Sequence, residues 1–235
     1  MGRKRKYTLN ENYFENIDNQ EKAYFLGFMY ADGNVSSKSN RCKIKLQEKD
    51  KAILEKFQSL LETNSPLYWN KKYKSWMLSF TSSKIKQDLI KIGCMSCKTF
   101  KVEFPSWLRE NLKPHFIRGF LDGDGSIFIT KKNWLRVTIA GREEFLKNIL
   151  NLCKINGHIR KQRNVWILHF GSSFAVSFLT WLYKDATIYL ERKRNKFLEY
   201  LRYRRKYEEK YREIKSNDHR FKLKTNWLDF QYLGI

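Results

Sequence analysis

The sequence predicts an α+β protein made of two similar halves, each with the element order α-β-β-α-β-β-α. The first observation is an internal repeat, because residues 25–33 (FLGFMYADG) recur as residues 117–125 (IRGFLDGDG) and further matches follow at nearly the same offset. The second is a strict alternation of polar and apolar residues at 41–47, which is typical of a strand with one buried face. The third is the helical spacing of apolar residues in segments such as 50–61.

The repeated segments are apolar on nearly all sides, which predicts two buried helices. Asp18 is expected to N-cap the first of them, with Glu21 completing a capping box and Gly33 ending the helix. The other elements follow from the same periodicities. They are strands at 41–47, 67–71 and 75–80 and helices at 50–61 and 83–92 in the first half, and in the second half strands at 126–131, 135–140, 157–162 and 165–170, helices at 143–152 and 173–182, and a very basic helical stretch from 190 to about 214.

We expect five segments along the chain. A basic N-terminal arm (1–19) precedes the first half (20–108), and a short polar linker (109–114) leads to the second half (115–205). A basic tail (206–235) follows. Because the repeated motif opens each half, each half is expected to fold as one copy of the same unit.

Composition favours a polyanionic partner. The 235 residues include 47 Lys+Arg against 24 Asp+Glu, a formal net charge of +23, while 42% hydrophobic residues are enough for folded cores. Nucleic acid is the first candidate for a folded protein this basic, and enzymes for small neutral substrates are disfavoured. A membrane span is not expected, because the longest apolar run, residues 23–31, is about half of the roughly 20 residues that a spanning helix needs.

Cysteine usage favours a reducing, intracellular location, such as phage or bacterial cytoplasm or an organelle matrix. Four cysteines are too few for a disulfide scaffold in a chain of this length. Cys94 and Cys97 form one CxxC pair without a second pair. Isolated thiols are therefore favoured over a zinc site, which needs four ligands.

Small residues in the repeated helices predict that these helices pack on each other. Gly27 and Ala31 in the first copy, and Gly119 and Gly123 in the second, are spaced four residues apart and so share one helix face. Glycine inside a helix costs about 1 kcal/mol relative to alanine, so its presence needs a compensating reason. Two small residues on one face allow a partner helix to approach closely.

Two aspartates, Asp32 and Asp124, stand at the C-terminal ends of these helices, where the helix dipole disfavours a carboxylate. If the helices pack together, like-charge repulsion adds to this cost unless a cation lies between the acids. A hard divalent ion such as Mg²⁺ suits such oxygen ligands, and metal ions can stabilise the attacking and leaving oxygens of a phosphodiester. The alternative, that Asp-Gly only closes a helix, is disfavoured because the pattern occurs in both copies.

The two nine-residue segments resemble the signature of the LAGLIDADG homing endonucleases, in the single-chain form with two motifs. The resemblance covers about residues 20–200. It implies paired helices at a pseudo-twofold interface and two antiparallel sheets that form a saddle over the DNA major groove. It also implies metal-dependent cleavage of both strands of a long, near-palindromic site. One departure is the sixth motif position, which is Tyr30 in the first copy and Asp122 in the second.

The resemblance also implies site residues. The eighth motif position is the metal-binding acid of this family, and it falls on Asp32 and Asp124. Ala31 and Gly123 precede these acids, and their backbone carbonyls are expected to face the metal. The expected cofactor is therefore Mg²⁺, with Mn²⁺ as a substitute.

Family members commonly have a lysine and a polar residue near the activated water. By position, Lys98 resembles the first-half lysine and Lys193 the second, with Arg192 as an alternative to Lys193. Gln47, at the end of its predicted strand, resembles the polar residue that contacts water.

The second half offers only Ala140 or Gly141 at the position of Gln47. This difference suggests that the two DNA strands are cut with unequal demands.

The predicted sheet faces carry side chains suited to reading DNA. Alternation along a strand directs every second side chain to one face, and the major groove admits a β-ribbon. Arginine, asparagine and glutamine can read bases, whereas lysine mostly binds phosphate. The candidates are Ser36, Lys38, Arg41, Lys43, Lys45, Asn70 and Lys72 in the first half and Thr130, Lys132, Arg136, Thr138, His158, Arg160 and Gln162 in the second.

These observations predict a site-specific DNA endonuclease that makes metal-dependent double-strand breaks in intron homing. Its partner is double-stranded DNA rather than a membrane, and the internal repeat predicts a monomer with pseudo-symmetry. An RNA maturase or a non-cleaving DNA-binding regulator on the same scaffold is the alternative. The presence of both acids, Asp32 and Asp124, favours cleavage.

Overall fold

The computed structural model describes residues 6–94 and 102–216, with residues 208–216 as helix backbone only. The predicted α+β class and its repeated element order are confirmed. The helices are α1 (Gln20–Ala31), α2 (Lys51–Leu60), α3 (Ser83–Lys91), α4 (Lys113–Asp124), α5 (Glu143–Cys153), α6 (Ser172–Tyr183) and α7 (Glu191–Ser216). The strands are β1 (Gly33–Val35), β2 (Arg41–Gln47), β3 (Tyr68–Asn70), β4 (Ser75–Thr81), β5 (Gly125–Ile129), β6 (Leu135–Gly141), β7 (His158–Gln162) and β8 (Val165–Gly171).

Each half contains one four-stranded antiparallel sheet, and the two sheets have equivalent strand orders, β1-β2-β4-β3 and β5-β6-β8-β7. Burial alternates strictly along β2, so that this sheet has one core face and one exposed face. Helix α2 packs on the core face of the first sheet, and α5 and α6 pack on that of the second. The opposite faces carry the exposed residues of β2 and the partly exposed residues of β6.

The core is aromatic and continuous across the two halves. Phe25 of α1 stacks on Phe57 of α2 with ring centroids 4.2 Å apart, and Phe170 of β8 stacks on Phe178 of α6 at 4.1 Å. Offset aromatic pairs of this kind add stability beyond the area that they bury. The central helices α1 and α4 each contribute eight buried residues to the protein interior.

Two local predictions about α1 are wrong. Its N-cap is Asn19, whose side chain accepts a hydrogen bond from the Lys22 amide, and Asp18 forms an ion pair with the Lys22 side chain instead. Glu21 does not complete a capping box, because its carboxylate accepts a hydrogen bond from the Thr187 hydroxyl. Adjacent residues that both suit an N-cap cannot be ranked from the sequence when either register continues the same apolar helix.

The stretch predicted to link the halves contains structure of its own. A short 3-10 helix, Glu110–Leu112, leads directly into α4, which begins at Lys113 with Pro114 in its first turn. Proline is favoured there because the first amides of a helix have no intrahelical acceptor. Among the described helices, none has both the length and the apolar content needed to span a bilayer.

Candidate functional site

The two motif helices, α1 and α4, touch through their backbones. A Cβ atom added to Gly27 would lie 2.0 Å from the carbonyl oxygen of Phe116, and one added to Gly119 would lie 1.9 Å from that of Tyr24. The contact is therefore reciprocal, since each glycine accepts the backbone of the other helix. This packing explains why the motif keeps glycine at positions where helix propensity disfavours it.

The same packing brings the two motif acids to one end of the helix pair. A Cβ atom on Gly123 would lie 2.3 Å from the Ala31 Cβ and 3.3 Å from Oδ2 of Asp32. Asp124 is the next residue and ends α4, and both aspartates are solvent-exposed. The structure thus brings together the four residues predicted to bind metal.

The chemistry of this seam fits a hard divalent cation. Two carboxylates at adjoining helix ends concentrate negative charge, and oxygen ligands are those that Mg²⁺ prefers. Among the described residues, no cluster of three or more His, Cys, Asp or Glu is arranged to hold a metal ion. A cation at the seam would therefore have Asp32 and Asp124 as side-chain ligands and would take further oxygens from backbone, DNA or water.

Lys193 lies beneath the end of α4 and is almost fully buried. Its Nζ donates hydrogen bonds to the carbonyl oxygens of Leu121, Asp122 and Gly125, at 2.6, 2.8 and 2.7 Å. These carbonyls flank Asp124, so that Lys193 holds the turn that carries the second acid. Burial lowers the pKa of Lys193 to about 8, although the nearby carboxylates favour its charged form.

The other predicted catalytic residues have different surroundings. Arg192, the alternative to Lys193, donates from Nε to both carboxylate oxygens of Asp50, at 2.9 and 3.1 Å, and so joins α7 to the first half. Lys98 lies outside the described residues. Gln47 is the exposed last residue of β2.

Strand register corrects the predicted counterpart of Gln47. Gly33 pairs with Ile44 in the first sheet, and Gly125 pairs with Ile139 in the second. Gln47 lies three residues beyond Ile44 in the first half, and Arg142 lies three residues beyond Ile139 in the second. The expectation of Ala140 or Gly141 was wrong because it assumed an equal length for the two connecting hairpins.

Sequence reasoning missed a buried polar cluster around Arg118 of α4. The guanidinium donates to the carbonyl oxygens of Ile188 and Leu182 and to Nδ1 of His115, each at 2.8 Å. Arg118 is fully buried, which lowers its pKa, and burial together with this cation lowers the pKa of His115 to about 4. The available signal was a charged residue at the second motif position, where the first copy has Leu26.

Asp122, at the sixth motif position, completes this cluster. Its Oδ2 accepts hydrogen bonds from the Tyr24 hydroxyl and the Leu190 amide, both at 2.8 Å. Burial raises the pKa of Asp122 above its usual range. Because Tyr24 belongs to α1, this hydrogen bond joins the two halves.

The exposed face of the first sheet carries four of the seven DNA-binding residues that were predicted in the first half. Arg41, Lys43 and Lys45 point outward at alternate positions of β2. Asn70 of β3 lies on the same face, as its pairing with Ser75 of β4 shows. Ser36, Lys38 and Lys72 lie in the turns beyond the strands. The prediction did not include several further residues of this face, namely Asn34, Tyr68, Met77 and Ser79.

The second sheet has an equivalent face. Arg136 and Thr138 of β6 lie in register with Phe128 and Ser126 of β5, and Thr138 also lies opposite His169 of β8. His158, Arg160 and Gln162 follow alternately along β7. Thr130 and Lys132 lie in the β5–β6 turn, where the Thr130 hydroxyl accepts a hydrogen bond from the Trp134 amide.

His169 was not among the predicted DNA-binding residues. Its Nε2 accepts a hydrogen bond from Nε of Arg160 at 2.9 Å, and its ring stacks on that of His158. Its pKa is lowered by burial and by the neighbouring cations. His169 therefore helps to hold Arg160 in place on the sheet.

The eight strands contain no aspartate or glutamate, although the chain has 24 of these residues. Cations and aromatic rings share the exposed faces instead: Lys45 lies 4.1 Å from the ring centre of Tyr73, and Arg136 lies 5.7 Å from that of Trp134. Basic and aromatic side chains without competing carboxylates are typical of nucleic-acid interfaces. Both sheet faces therefore suit a polyanion.

The paired helices ending in aspartate, with a basic-faced antiparallel sheet on each side, form the two-repeat arrangement that the resemblance to the LAGLIDADG proteins implies. Residues 19–88 match the family described as a LAGLIDADG-like domain. The resemblance inferred from the two motifs is confirmed.

Solved structures share this fold across most of the chain. The LAGLIDADG homing endonuclease I-LtrWI, bound to target DNA, is 13% identical with a TM-score of 0.57, covering 89% of this chain and 93% of its own. The meganuclease I-AabMI, bound to uncleaved DNA, is 14% identical with a TM-score of 0.57, covering 82% and 92%. I-SmaMI, bound to uncleaved DNA in the presence of calcium ions, is 12% identical with a TM-score of 0.51, covering 79% and 90%.

A curated relative extends the sequence similarity. An uncharacterised protein of Methanocaldococcus jannaschii is 26% identical over 141 residues, which are 56% of this chain. The chain spans about half the length of this relative, 51%.

Proposed function

We propose that this protein is a site-specific DNA endonuclease that makes divalent-metal-dependent double-strand breaks at a long, near-palindromic target, as in intron homing. The observation that carries the proposal is the position of Asp32 and Asp124 at one end of a backbone-to-backbone helix pair. Two acids held this close suit a shared cation better than mutual repulsion. The DNA-bound homing endonucleases of the same fold support the proposal.

The residues of this chain have separate roles in the proposed reaction. Asp32 and Asp124 would hold Mg²⁺, or Mn²⁺ as a substitute, with the Ala31 and Gly123 carbonyls nearby. Lys193 fixes the turn that carries Asp124 through its three backbone hydrogen bonds. When bound, a divalent ion supplies positive charge that stabilises the developing negative charge on the phosphodiester and activates the attacking water.

The two sheet faces would bind the DNA on either side of the seam. Their arginine, asparagine and glutamine side chains suit base contacts, whereas the lysines suit phosphates. Because the sheets belong to the two repeats, each would read one half of a near-palindromic target. The internal duplication thus supplies within a single chain the two DNA-binding surfaces that other DNA-binding proteins obtain by dimerising.

The proposal is tested by selecting bound sequences from a randomised DNA library in EDTA and then adding Mg²⁺. Wild-type protein should cut both strands of the selected sequence in Mg²⁺ and neither in EDTA. Asp32→Asn and Asp124→Asn should each lower cleavage by two or more orders of magnitude, because each removes a charged ligand of the cation. Binding in EDTA should stay within about threefold, since neither residue belongs to a sheet face.

Asp18→Asn is the matched control, because it removes an exposed carboxylate at the opposite end of α1. It should cleave as wild type does. Full activity in both Asp32→Asn and Asp124→Asn would contradict the metal assignment. Specific binding by wild type without any nicking in Mg²⁺ or Mn²⁺ would instead support a non-cleaving regulator.

A further inference from the structure

Arg142 and Gln47 occupy equivalent places in the two halves. The glycine after each motif acid pairs with an isoleucine, Ile44 in the first sheet and Ile139 in the second. Gln47 and Arg142 each lie three residues beyond that isoleucine. Each is also the N-cap of the next helical segment, with extended backbone (φ −63°, ψ 157° for Gln47; φ −75°, ψ 148° for Arg142). Register and helix position are independent observations that agree.

Arginine is a poor residue for this position on structural grounds alone. Helix N-termini favour Ser, Thr, Asp or Asn, whose side chains accept from the first amides, and the helix dipole disfavours a cation there. Ser82 shows the favourable arrangement at α3, where its hydroxyl accepts a hydrogen bond from the Ile85 amide. The Arg142 side chain makes no capping hydrogen bond. Helix stability therefore does not explain this arginine.

Neighbouring acids do not explain it either. Glu143 and Glu144, in the first turn of α5, both form ion pairs with Lys147, at 3.1 and 2.8 Å. Within the described part of the chain, the Arg142 guanidinium has no hydrogen bond or ion pair of its own. Its five N–H donors are thus available to a ligand.

The position of Arg142 indicates what that ligand is. Arg142 lines a cleft together with Asp124, Ala31 and Gly141. A phosphodiester bound at Asp124 for cleavage would lie beside this cleft. The planar guanidinium binds phosphate oxygens with two parallel hydrogen bonds, which a neutral glutamine amide cannot match in charge.

We propose that Arg142 binds the phosphodiester beside Asp124, so that one DNA strand has a cationic phosphate contact that Gln47 does not provide for the other strand. The inference rests on the proposed function for the identity of the ligand. It concerns only this chain's side chain and the DNA, and so it can be tested without metal and without cleavage.

The test measures binding to the selected target in EDTA, with two modified duplexes in which neutral methylphosphonates replace the central phosphates of one strand or of the other. On unmodified DNA, Arg142→Gln should bind about tenfold more weakly than wild type, and its salt dependence should lose about one phosphate contact. With the methylphosphonates in the strand that Arg142 contacts, wild type and Arg142→Gln should bind equally. With the methylphosphonates in the other strand, the tenfold difference should remain.

Two further variants separate this contact from general charge and folding effects. Arg109→Gln removes an equal charge near the start of α4, about 18 Å from Asp124 along a twelve-residue helix, and should bind as wild type does. Arg142→Lys keeps the positive charge but loses the paired N–H donors of the planar guanidinium. Its affinity for the DNA should fall between those of wild type and Arg142→Gln. Glutamine already occupies the equivalent position in the first half, so Arg142→Gln should fold, and its circular dichroism spectrum should match that of wild type.

Two results would overturn the inference. One is wild-type affinity of Arg142→Gln on unmodified DNA, and the other is a deficit that persists with both methylphosphonate duplexes. In Mg²⁺, Arg142→Gln should slow nicking of the strand identified by the binding test more than nicking of the other. A wild-type protein that shows the strand-specific binding but never nicks would refute the endonuclease proposal while leaving the Arg142 contact supported.

Discussion

Replacing Gly119 by alanine tests the helix contact on which the candidate site depends. The added Cβ would lie 1.9 Å from the Tyr24 carbonyl oxygen, whereas real Cβ atoms stay at least 3.0 Å from such atoms. The obstacle is backbone on both sides, so no side-chain rotation relieves it, and α1 and α4 must separate locally by about 1 Å. That shift acts on the same helix pair that carries Asp32 and Asp124.

The expected magnitude follows from two opposing effects. Overpacking a well-packed contact costs about 1–3 kcal/mol and occasionally more, and a backbone clash belongs at the upper end of that range. In the opposite direction, alanine stabilises a helix interior by about 1 kcal/mol relative to glycine. Gly119→Ala should therefore lower the free energy of unfolding by about 2 kcal/mol, which corresponds to roughly 4–8 °C in Tm for a chain of this size.

Urea denaturation followed by circular dichroism measures this change. Gly141→Ala is the matched control, because its Cβ would first meet the flexible end of Leu146 at 3.3 Å. It should change stability by no more than about 0.5 kcal/mol. If Gly119→Ala were as stable as the control, the backbone-to-backbone contact described for α1 and α4 would be wrong.

Two further predictions concern buried groups. The pKa of His115 is lowered to about 4 from an ordinary 6.5, so between these pH values the unfolded state binds a proton that the native state does not bind. The contribution of His115 to the free energy of unfolding should therefore fall as the pH drops from 6.5 to 4. An NMR titration of the ring that gives a pKa near 6.5 would contradict this prediction. Lys193→Met leaves three carbonyls at the end of α4 without their donor and should cost about 2 kcal/mol in urea denaturation. Exposed Lys131→Met serves as its control, and an equal loss in both variants would count against the anchoring role.

Local periodicity was enough to predict most elements. Residues 41–47 were predicted as a strand and form β2 over the same range, since alternation over seven residues is a signal that one strand carries by itself. The acids Asp32 and Asp124 could be paired because the motif occurs twice and its small residues predict close helix packing. These inferences needed no knowledge of distant contacts.

Other features depended on distant parts of the chain. The burial of Arg118 requires carbonyl acceptors at Leu182 and Ile188, more than sixty positions away. Arg142 was missed because the motif repeat has an offset of 92 whereas the strand positions Ile44 and Ile139 differ by 95, so a longer hairpin in the second half shifts the alignment. A constant offset cannot show such an insertion.

The hydrogen bond from Tyr24 to Asp122 limits how halves of such proteins can be exchanged. The sixth motif position is Tyr30 in the first copy, so two first halves brought together would set Tyr24 against a tyrosine instead of a carboxylate. A chimaera that joins the second half to a foreign first half loses the donor to Asp122 unless a tyrosine stands at the Tyr24 position. Engineers who recombine such halves to reach new targets should therefore transfer this donor and acceptor as a unit.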